Sequence, residues 1–134
     1  MTMRALVSLS ETTLDILKSD AESIITNQSA IPFLVANQVK ERQVLVVAHS
    51  SQRATELASE LSELVDGVME FPAWETLPHE KLSPNSDTVA KRINTLFNIE
   101  NSKVVVTSAR ALIQPIITAA IKLPLLTIDR GQEL

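Results

Sequence analysis

Two continuous apolar runs constrain the fold of this chain more than any other feature of its sequence. They read QVLVVA at Gln43–Ala48 and KVVVTS at Lys103–Ser108. Each run is rich in valine and too short for a helix of its own, which is typical of a strand buried on both faces of a parallel sheet. Each is followed by a segment with helical character. We therefore predict two βα units whose strands are neighbours in the centre of one sheet.

The other elements are predicted from apolar spacing and turn residues. After His49, alanine, leucine and valine recur at intervals of three and four, which predicts an amphipathic helix capped by Ser50 or Ser51 and ended by Gly67. Weaker patterns indicate helices over Ser8–Lys18, Ile31–Glu41 and Ala109–Gln114, and strands over Ser23–Thr26, Val68–Phe71 and Leu123–Ile128.

One more amphipathic helix is predicted from Ser86 or Asp87, as its cap, to about Asn98. Its expected core-facing residues are Val89, Ile93, Leu96 and Phe97. The alternation of strands and helices along the chain is typical of βαβ units. The predicted fold class is therefore α/β, with a mostly parallel sheet and helices on both faces.

Composition excludes several classes of function. The chain has no cysteine, which rules out disulfides and cysteine-ligated zinc and makes the cytoplasm the expected compartment. No apolar run approaches the roughly 18 residues of a membrane-spanning helix, so no membrane partner is expected. A net charge of −4 and 3% aromatic residues disfavour direct nucleic-acid binding by this segment. Its two glycines, Gly67 and Gly131, form no phosphate-binding loop.

The loop FPAWETLPHEKLSPNSD, from Phe71 to Asp87, holds the only tryptophan and three of the six prolines. An indole on such a loop either plugs the end of the sheet or anchors a partner, and we expect Trp74 to be a plug. His79 and Glu80 lack the H-E-x-x-H spacing of a zinc site. The acidic residues of the loop fit no calcium loop, so we expect them to be solvated.

The residues themselves leave two classes of function open, a small enzyme and an interaction module. His49 follows a buried strand at the edge where parallel sheets bind ligands, so a small enzyme could bring His49, Glu75 and Asp87 together there. A polar loop residue is the simpler interpretation of His49, since every such strand must end in something. The alternative to an enzyme is a signalling-type interaction module of α/β fold.

A specific pattern surrounds the tryptophan: W-E-T-L-P, then S-P, a short polar step and an aspartate, then a helix with R-x-x-T-L. Its positions are Trp74, Glu75, Thr76, Leu77, Pro78, Ser83, Pro84, Asp87, Arg92, Thr95 and Leu96. This pattern resembles the N-terminal module of the bacterial transcription-repair coupling factors. The resemblance covers roughly residues 22 to 134 and includes the closing RGQEL.

The resemblance implies a fold shared with subdomain 1A of the excision-nuclease protein UvrB, a helicase-like domain of the P-loop NTPase class. In that relative a phosphate-binding loop lies between the first strand and its helix. The corresponding stretch of this chain has Asn27, Gln28, Ser29 and Ala30 in place of Gly-Lys-Ser/Thr. The resemblance thus implies a degenerate, non-hydrolysing copy without a cofactor, and ATP and magnesium are expected only in the motor domains of a longer parent protein.

The resemblance also implies a domain organisation and a set of partners. Residues 1–21 are expected to form an N-terminal helical segment, residues 22–128 the degenerate subdomain, and residues 129–134 a linker toward a following subdomain. The expected role is a catalytically silent scaffold. Its partners would be the other subdomains of the parent and, through a neighbouring subdomain, the excision-nuclease protein UvrA. RNA polymerase and DNA would be contacted only by the parent.

Overall fold

The computed structural model describes residues 24–40, 42–76 and 83–116, and the architecture is that of these residues. Helices and strands alternate along the described chain, in agreement with the predicted α/β class. The helices are α1 (Ile31–Gln38), α2 (Ser51–Ser62), α3 (Ser86–Phe97) and α4 (Ala109–Ile113), and the strands are β1 (Val44–Ala48), β2 (Val68–Phe71) and β3 (Val104–Ser108). Short 3-10 turns at Gln28–Ala30 and Ile99–Asn101 precede α1 and β3.

The three described strands form a parallel sheet in the order β1-β3-β2. Val104 of β3 pairs with Val44 on one side and with Val68 on the other. The prediction that the two valine-rich runs are neighbours is confirmed. The prediction that both are central holds only for β3 among the described strands. β1 is an outer strand there, and its Leu45 and Val47 are 58% and 47% exposed.

Helices cover both faces of the central strand because its side chains alternate between them. On one face, Val104 and Val106 pack in a cluster with α2, which contributes Ala54, Leu57 and Leu61. On the opposite face, Val105 packs in a second cluster whose other members are Phe71, Ala73, Ala111 and the partly buried Leu96. Every residue of β3 is buried, as expected for a strand with covers on both faces.

Local sequence signals set the start of α2 and the turn before β2. The Ser50 hydroxyl accepts a hydrogen bond from the Arg53 N–H at 3.2 Å, which confirms the predicted serine cap. The helix ends at Ser62, earlier than predicted from Gly67. Gly67 instead adopts a φ of +80°, a conformation that suits glycine, and its carbonyl accepts the Lys103 N–H at 2.9 Å. It therefore fixes the approach of β2 to β3.

Several predicted boundaries are wrong. Residues 24–26 have no regular structure in place of the predicted strand, and α1 ends at Gln38 instead of reaching Glu41. The cap of α3 is Asn85 and not the predicted Ser86 or Asp87. Its Oδ1 accepts the Asp87 N–H at 2.9 Å, and the helix begins at Ser86. Predicted elements at residues 8–18 and 123–128 lie outside the described residues. No helix among the described ones is long and apolar enough to cross a membrane.

The predicted apolar face of α3 is buried only in part: Leu96 packs against the cluster around Val105, but the fully buried residues of the helix are polar. Thr88, Arg92 and Thr95 are 8%, 2% and 2% exposed, whereas Ile93 is 37% exposed. The other predicted core residues, Val89, Leu96 and Phe97, are half-buried. The reason is hydrogen bonding to β2 and the loop that follows it. The Thr95 hydroxyl, for example, lies 2.8 Å from the Glu70 carbonyl oxygen, which it can satisfy as a donor.

Candidate functional site

The carboxyl ends of the three parallel strands meet at one edge of the sheet, where open α/β sheets usually bind ligands. A cleft of about 250 Å³ opens there between the first turns of α2 and α3 and the chain that leaves β2. Its charged side chains are Glu70, Glu75, Asp87 and Lys91. Ser108, at the end of β3, also lines it.

A buried arginine organises the loop behind this cleft. The guanidinium carbon of Arg92 lies 4.1 Å from the ring centroid of Phe71 and 4.3 Å from that of Trp74. Its nitrogens donate to the carbonyl oxygens of Pro72 at 2.7 Å and Pro115 at 3.3 Å. Burial lowers the pKa of Arg92, but a guanidinium stays protonated in proteins. We call Arg92, with the two rings and two carbonyls that it contacts, the arginine clamp.

The backbone of Trp74 is held by a second contact from the far end of the described chain. The Trp74 N–H donates to Gln114 Oε1 at 2.7 Å, and Gln114 Nε2 donates to the Trp74 carbonyl oxygen at 3.2 Å. One side-chain amide thus satisfies both polar groups of this residue, as a neighbouring strand would. The indole itself is half-buried. Trp74 as a plug stays a prediction, but residues 71–74 are held from two sides, by Arg92 and by Gln114.

Glu75 and Asp87 lie on the cleft side of the loop. The Thr88 hydroxyl donates to Glu75 Oε1, and this hydrogen bond is the main cause of a lowered pKa for Glu75. Backbone N–H groups of Glu75 and Asn85 lower the same pKa further. Asp87 lies in the first turn of α3, where a carboxylate is favoured by the helix dipole. The Glu75 carboxylate is therefore stabilised in its charged form.

Lys91 is the one cation among the described lining residues, and it is already paired. Its Nζ lies 2.9 Å from Glu70 Oε2, while Thr55 donates to the other carboxylate oxygen of Glu70 at 2.6 Å. Two negative charges, at Glu75 and Asp87, remain without an opposing charge among the described lining residues. The described lining therefore carries a net negative charge, which disfavours phosphate groups.

The constellation of the small-enzyme hypothesis is only partly assembled. Glu75 and Asp87 line the same cleft, whereas His49 is exposed at the end of β1 and does not line it. Within residues 24–40, 42–76 and 83–116, no group of three or more acidic or histidine side chains could hold a metal ion. Among the described residues, the cleft brings together two carboxylates but no histidine.

The stretch that corresponds to a phosphate-binding loop forms a closed turn. The Ser29 N–H donates to Asn27 Oδ1 at 3.3 Å, and the Ala30 N–H donates to the Asn27 carbonyl oxygen at 3.0 Å. The Ile31 N–H donates to the Gln28 carbonyl oxygen, and Pro32 has no N–H at all. Successive N–H groups that would cradle an anion are therefore occupied within the turn or absent.

The remaining residues of the W-E-T-L-P and S-P pattern lie next to residues 77–82, which are outside the described ranges. Thr76 is half-buried and ends one described range, while Ser83 and Pro84 begin the next, ahead of α3. Leu77 and Pro78 lie outside the described residues. Sequence reasoning identifies Arg92 only through the resemblance and misses Gln114. No local pattern could have found Gln114, since the residue that it pairs with is 40 positions away in the chain.

Comparison with known proteins identifies one group of relatives. No protein-family model matches the chain. It is 34% identical over 126 residues to the transcription-repair-coupling factor of Mycobacterium tuberculosis, a match that covers 87% of this chain. The proteins of the same name in Escherichia coli and Haemophilus influenzae are 36% identical over 75 residues and 29% identical over 82 residues, which cover 53% and 60% of this chain.

These matches cover little of the relatives themselves. The chain spans about 10% of the length of the mycobacterial protein, and the matched parts span 6% and 7% of the other two. The similarity nevertheless runs along most of this chain and agrees with the pattern around Trp74. The chain therefore belongs to the family of transcription-repair-coupling factors, as a segment equivalent to about a tenth of the mycobacterial relative.

Proposed function

We propose that this chain is a catalytically silent scaffold segment of a transcription-repair coupling factor. The parent protein would be an ATP-dependent DNA translocase that displaces RNA polymerase stalled at lesions and recruits excision-repair proteins. In this proposal, ATP and magnesium bind the motor domains of the parent, and the segment itself is a degenerate relative of a P-loop domain. The segment acts in the cytoplasm together with the rest of that protein.

The observation that carries the proposal is the closed turn at Asn27–Ala30. A phosphate-binding loop works because several backbone N–H groups converge on the anion and a lysine adds charge. In this turn the N–H groups of Ser29, Ala30 and Ile31 have internal acceptors, and residues 27–30 contain no lysine. To bind a nucleotide, the turn would have to lose these hydrogen bonds without gaining a cation.

The sheet edge supports the same proposal from a second direction. The described lining of its cleft carries a net negative charge, and residues 71–74 beside it are held by the arginine clamp and by Gln114. A segment such as residues 71–74, held through both its side chains and its backbone, suits a rigid connection between domains better than a site that must close on a substrate. In our proposal, this rigidity helps position a neighbouring subdomain that binds the excision-nuclease protein UvrA.

The test is calorimetric titration of the 134-residue chain with ATP and magnesium. We expect no binding heat beyond dilution at ligand concentrations up to about 1 mM, which is the weak limit of useful affinity. An active P-loop ATPase titrated in the same buffer is the control. Micromolar binding of ATP to this chain would overturn the proposal.

A variant of the Asn27–Ala30 turn tests whether this turn contributes to the ATPase activity of the parent protein. Asn27→Ala removes the side-chain acceptor of the turn. We expect the ATPase rate of the full-length coupling factor to stay within about twofold of the unmodified protein, because single changes outside catalytic machinery leave the transition state untouched. A tenfold loss would place nucleotide chemistry in this segment and contradict the scaffold role.

A further inference from the structure

The buried polar face of α3 is directed at the backbone of β2, along the edge of that strand that faces away from β3. The direction of the backbone groups identifies this edge. The Val104 N–H donates to the Gly67 carbonyl oxygen, so the Gly67 carbonyl points toward β3. Because carbonyls alternate in direction along an extended chain, those of Glu70 and Pro72 point to the opposite, outer edge.

Three side chains of α3 contact this outer edge. The Arg92 guanidinium donates to the Pro72 carbonyl oxygen at 2.7 Å, and Lys91 Nζ lies 2.9 Å from the Glu70 carboxylate. The Thr95 hydroxyl lies 2.8 Å from the Glu70 carbonyl oxygen and 2.9 Å from that of Lys91. An α-helix already pairs the Lys91 carbonyl with the N–H four residues on, so the hydroxyl proton is needed at Glu70.

The spacing of the two backbone-directed donors suits the spacing of their acceptors. Arg92 and Thr95 are three residues apart, which is about 4.5 Å along a helix axis. The carbonyls of Glu70 and Pro72 are two residues apart, which is about 6.6 Å along a strand. The length of the arginine side chain spans the difference. The donors of α3 therefore stand where the N–H groups of a neighbouring strand would stand.

Burial makes these contacts important for the strand edge. Arg92 and Thr95 are each 2% exposed, so the carbonyls that they face lie beneath side chains that water hardly reaches. Buried carbonyls need a hydrogen-bond donor. Three of the four side chains of β2, which reads VMEF, are apolar, and an open edge on such a strand is a typical site of pairing with another chain. Covering the edge with a helix is one way in which proteins prevent this pairing.

We propose that α3 is an edge cover that prevents β2 from pairing with the β2 strand of a second copy of this chain, and that Arg92 and Thr95 are the residues on which the cover depends. With both donors in place, the carbonyls of the outer edge are satisfied within one molecule. Without them, the N–H groups of another strand are the available donors. Two copies of β2 paired about a twofold axis would then make the same contacts to each other.

The test is sedimentation equilibrium of the 134-residue chain and its variants over a range of protein concentrations. The double change Arg92→Met and Thr95→Val removes both donors, and this variant should self-associate at least about tenfold more tightly than the unmodified chain. Thr95→Val alone should strengthen association by about threefold, whereas Thr95→Ser, which keeps the hydroxyl, should leave it unchanged. A folded double variant that associates no more tightly than the unmodified chain overturns the proposal. If the double variant does not fold, equal association of the valine and serine variants overturns it.

A proline then tests which surface pairs. The Glu70 N–H points to the outer edge with its carbonyl, so Glu70→Pro removes a donor for pairing with a second copy and leaves the pairing with β3 intact. Added to the double variant, this change should return association to that of the unmodified chain. Glu70→Ala keeps the N–H and is the matched control, which should leave the tighter association in place. Association that survives the proline, or that the alanine abolishes equally, uses another surface and refutes the proposal.

Discussion

Replacing Arg92 with alanine should destabilise the chain by about 3 kcal/mol. The substitution removes two charge-assisted hydrogen bonds, to the carbonyls of Pro72 and Pro115, each of which contributes about 1.5–3 kcal/mol. It also removes two contacts with aromatic rings, which reach about 2 kcal/mol when desolvated. The opposing term is the desolvation of a buried cation, several kcal/mol, which the variant no longer bears. The balance stays destabilising because two carbonyls and two ring faces lose their partner.

Arg92→Lys separates the contribution of the positive charge to stability from that of the planar guanidinium. Lysine keeps the positive charge but has no planar group to stack between two rings and no fixed fork of donors. If the flat guanidinium stabilises the loop, the lysine variant should lose about 2 kcal/mol, nearer to alanine than to arginine. Arg110→Ala is the matched control, since Arg110 is an exposed arginine on α4, and should change stability by no more than about 0.5 kcal/mol.

The assay is urea unfolding followed by far-UV circular dichroism, with the midpoint and slope fitted for each variant. Tryptophan fluorescence is recorded in parallel, because Trp74 is the only indole and contacts the guanidinium directly. We expect Arg92→Ala to shift its emission to the red. If Arg92→Ala unfolds at the same urea concentration as Arg110→Ala, the arginine clamp does not stabilise the fold and the reasoning is refuted.

Contacts around the same loop and the turn before β2 give three further predictions. Gln114→Ala should lower the free energy of unfolding by about 2 kcal/mol in urea melts, because both backbone groups of Trp74 lose their partner; no shift in the midpoint would contradict it. Glu75 has a lowered pKa, so its stabilising effect is present above the unfolded pKa and is lost as pH falls through the folded pKa. In urea melts from about pH 7 to 3, Thr88→Val should reduce the loss of stability that accompanies the fall in pH. An unchanged pH dependence of stability argues against the contact. Gly67→Ala should destabilise by about 1 kcal/mol in thermal melts, because φ is +80° there; equal stability would show that the turn relaxes.

Much of this fold follows from local patterns in the sequence. The pattern of Val68–Phe71 predicts a strand with its observed bounds, and the two valine-rich runs predict neighbouring strands, because a short β-branched run has few other stable uses. The absence of glycine and lysine from residues 27–30 likewise indicates a stretch unsuited to phosphate. These features depend on residues close together in the chain.

Tertiary structure decided the order of the strands and the orientation of α3. Apolar periodicity predicts that Ile93 faces the core, yet the helix buries Arg92, which finds Phe71, Trp74 and the Pro115 carbonyl at its face. A charged side chain can be buried only where rings and carbonyls from other segments satisfy it. The Pro72 and Pro115 carbonyls lie 20 and 23 residues away in sequence, and the hydrophobicity of the helix itself carries no information about them.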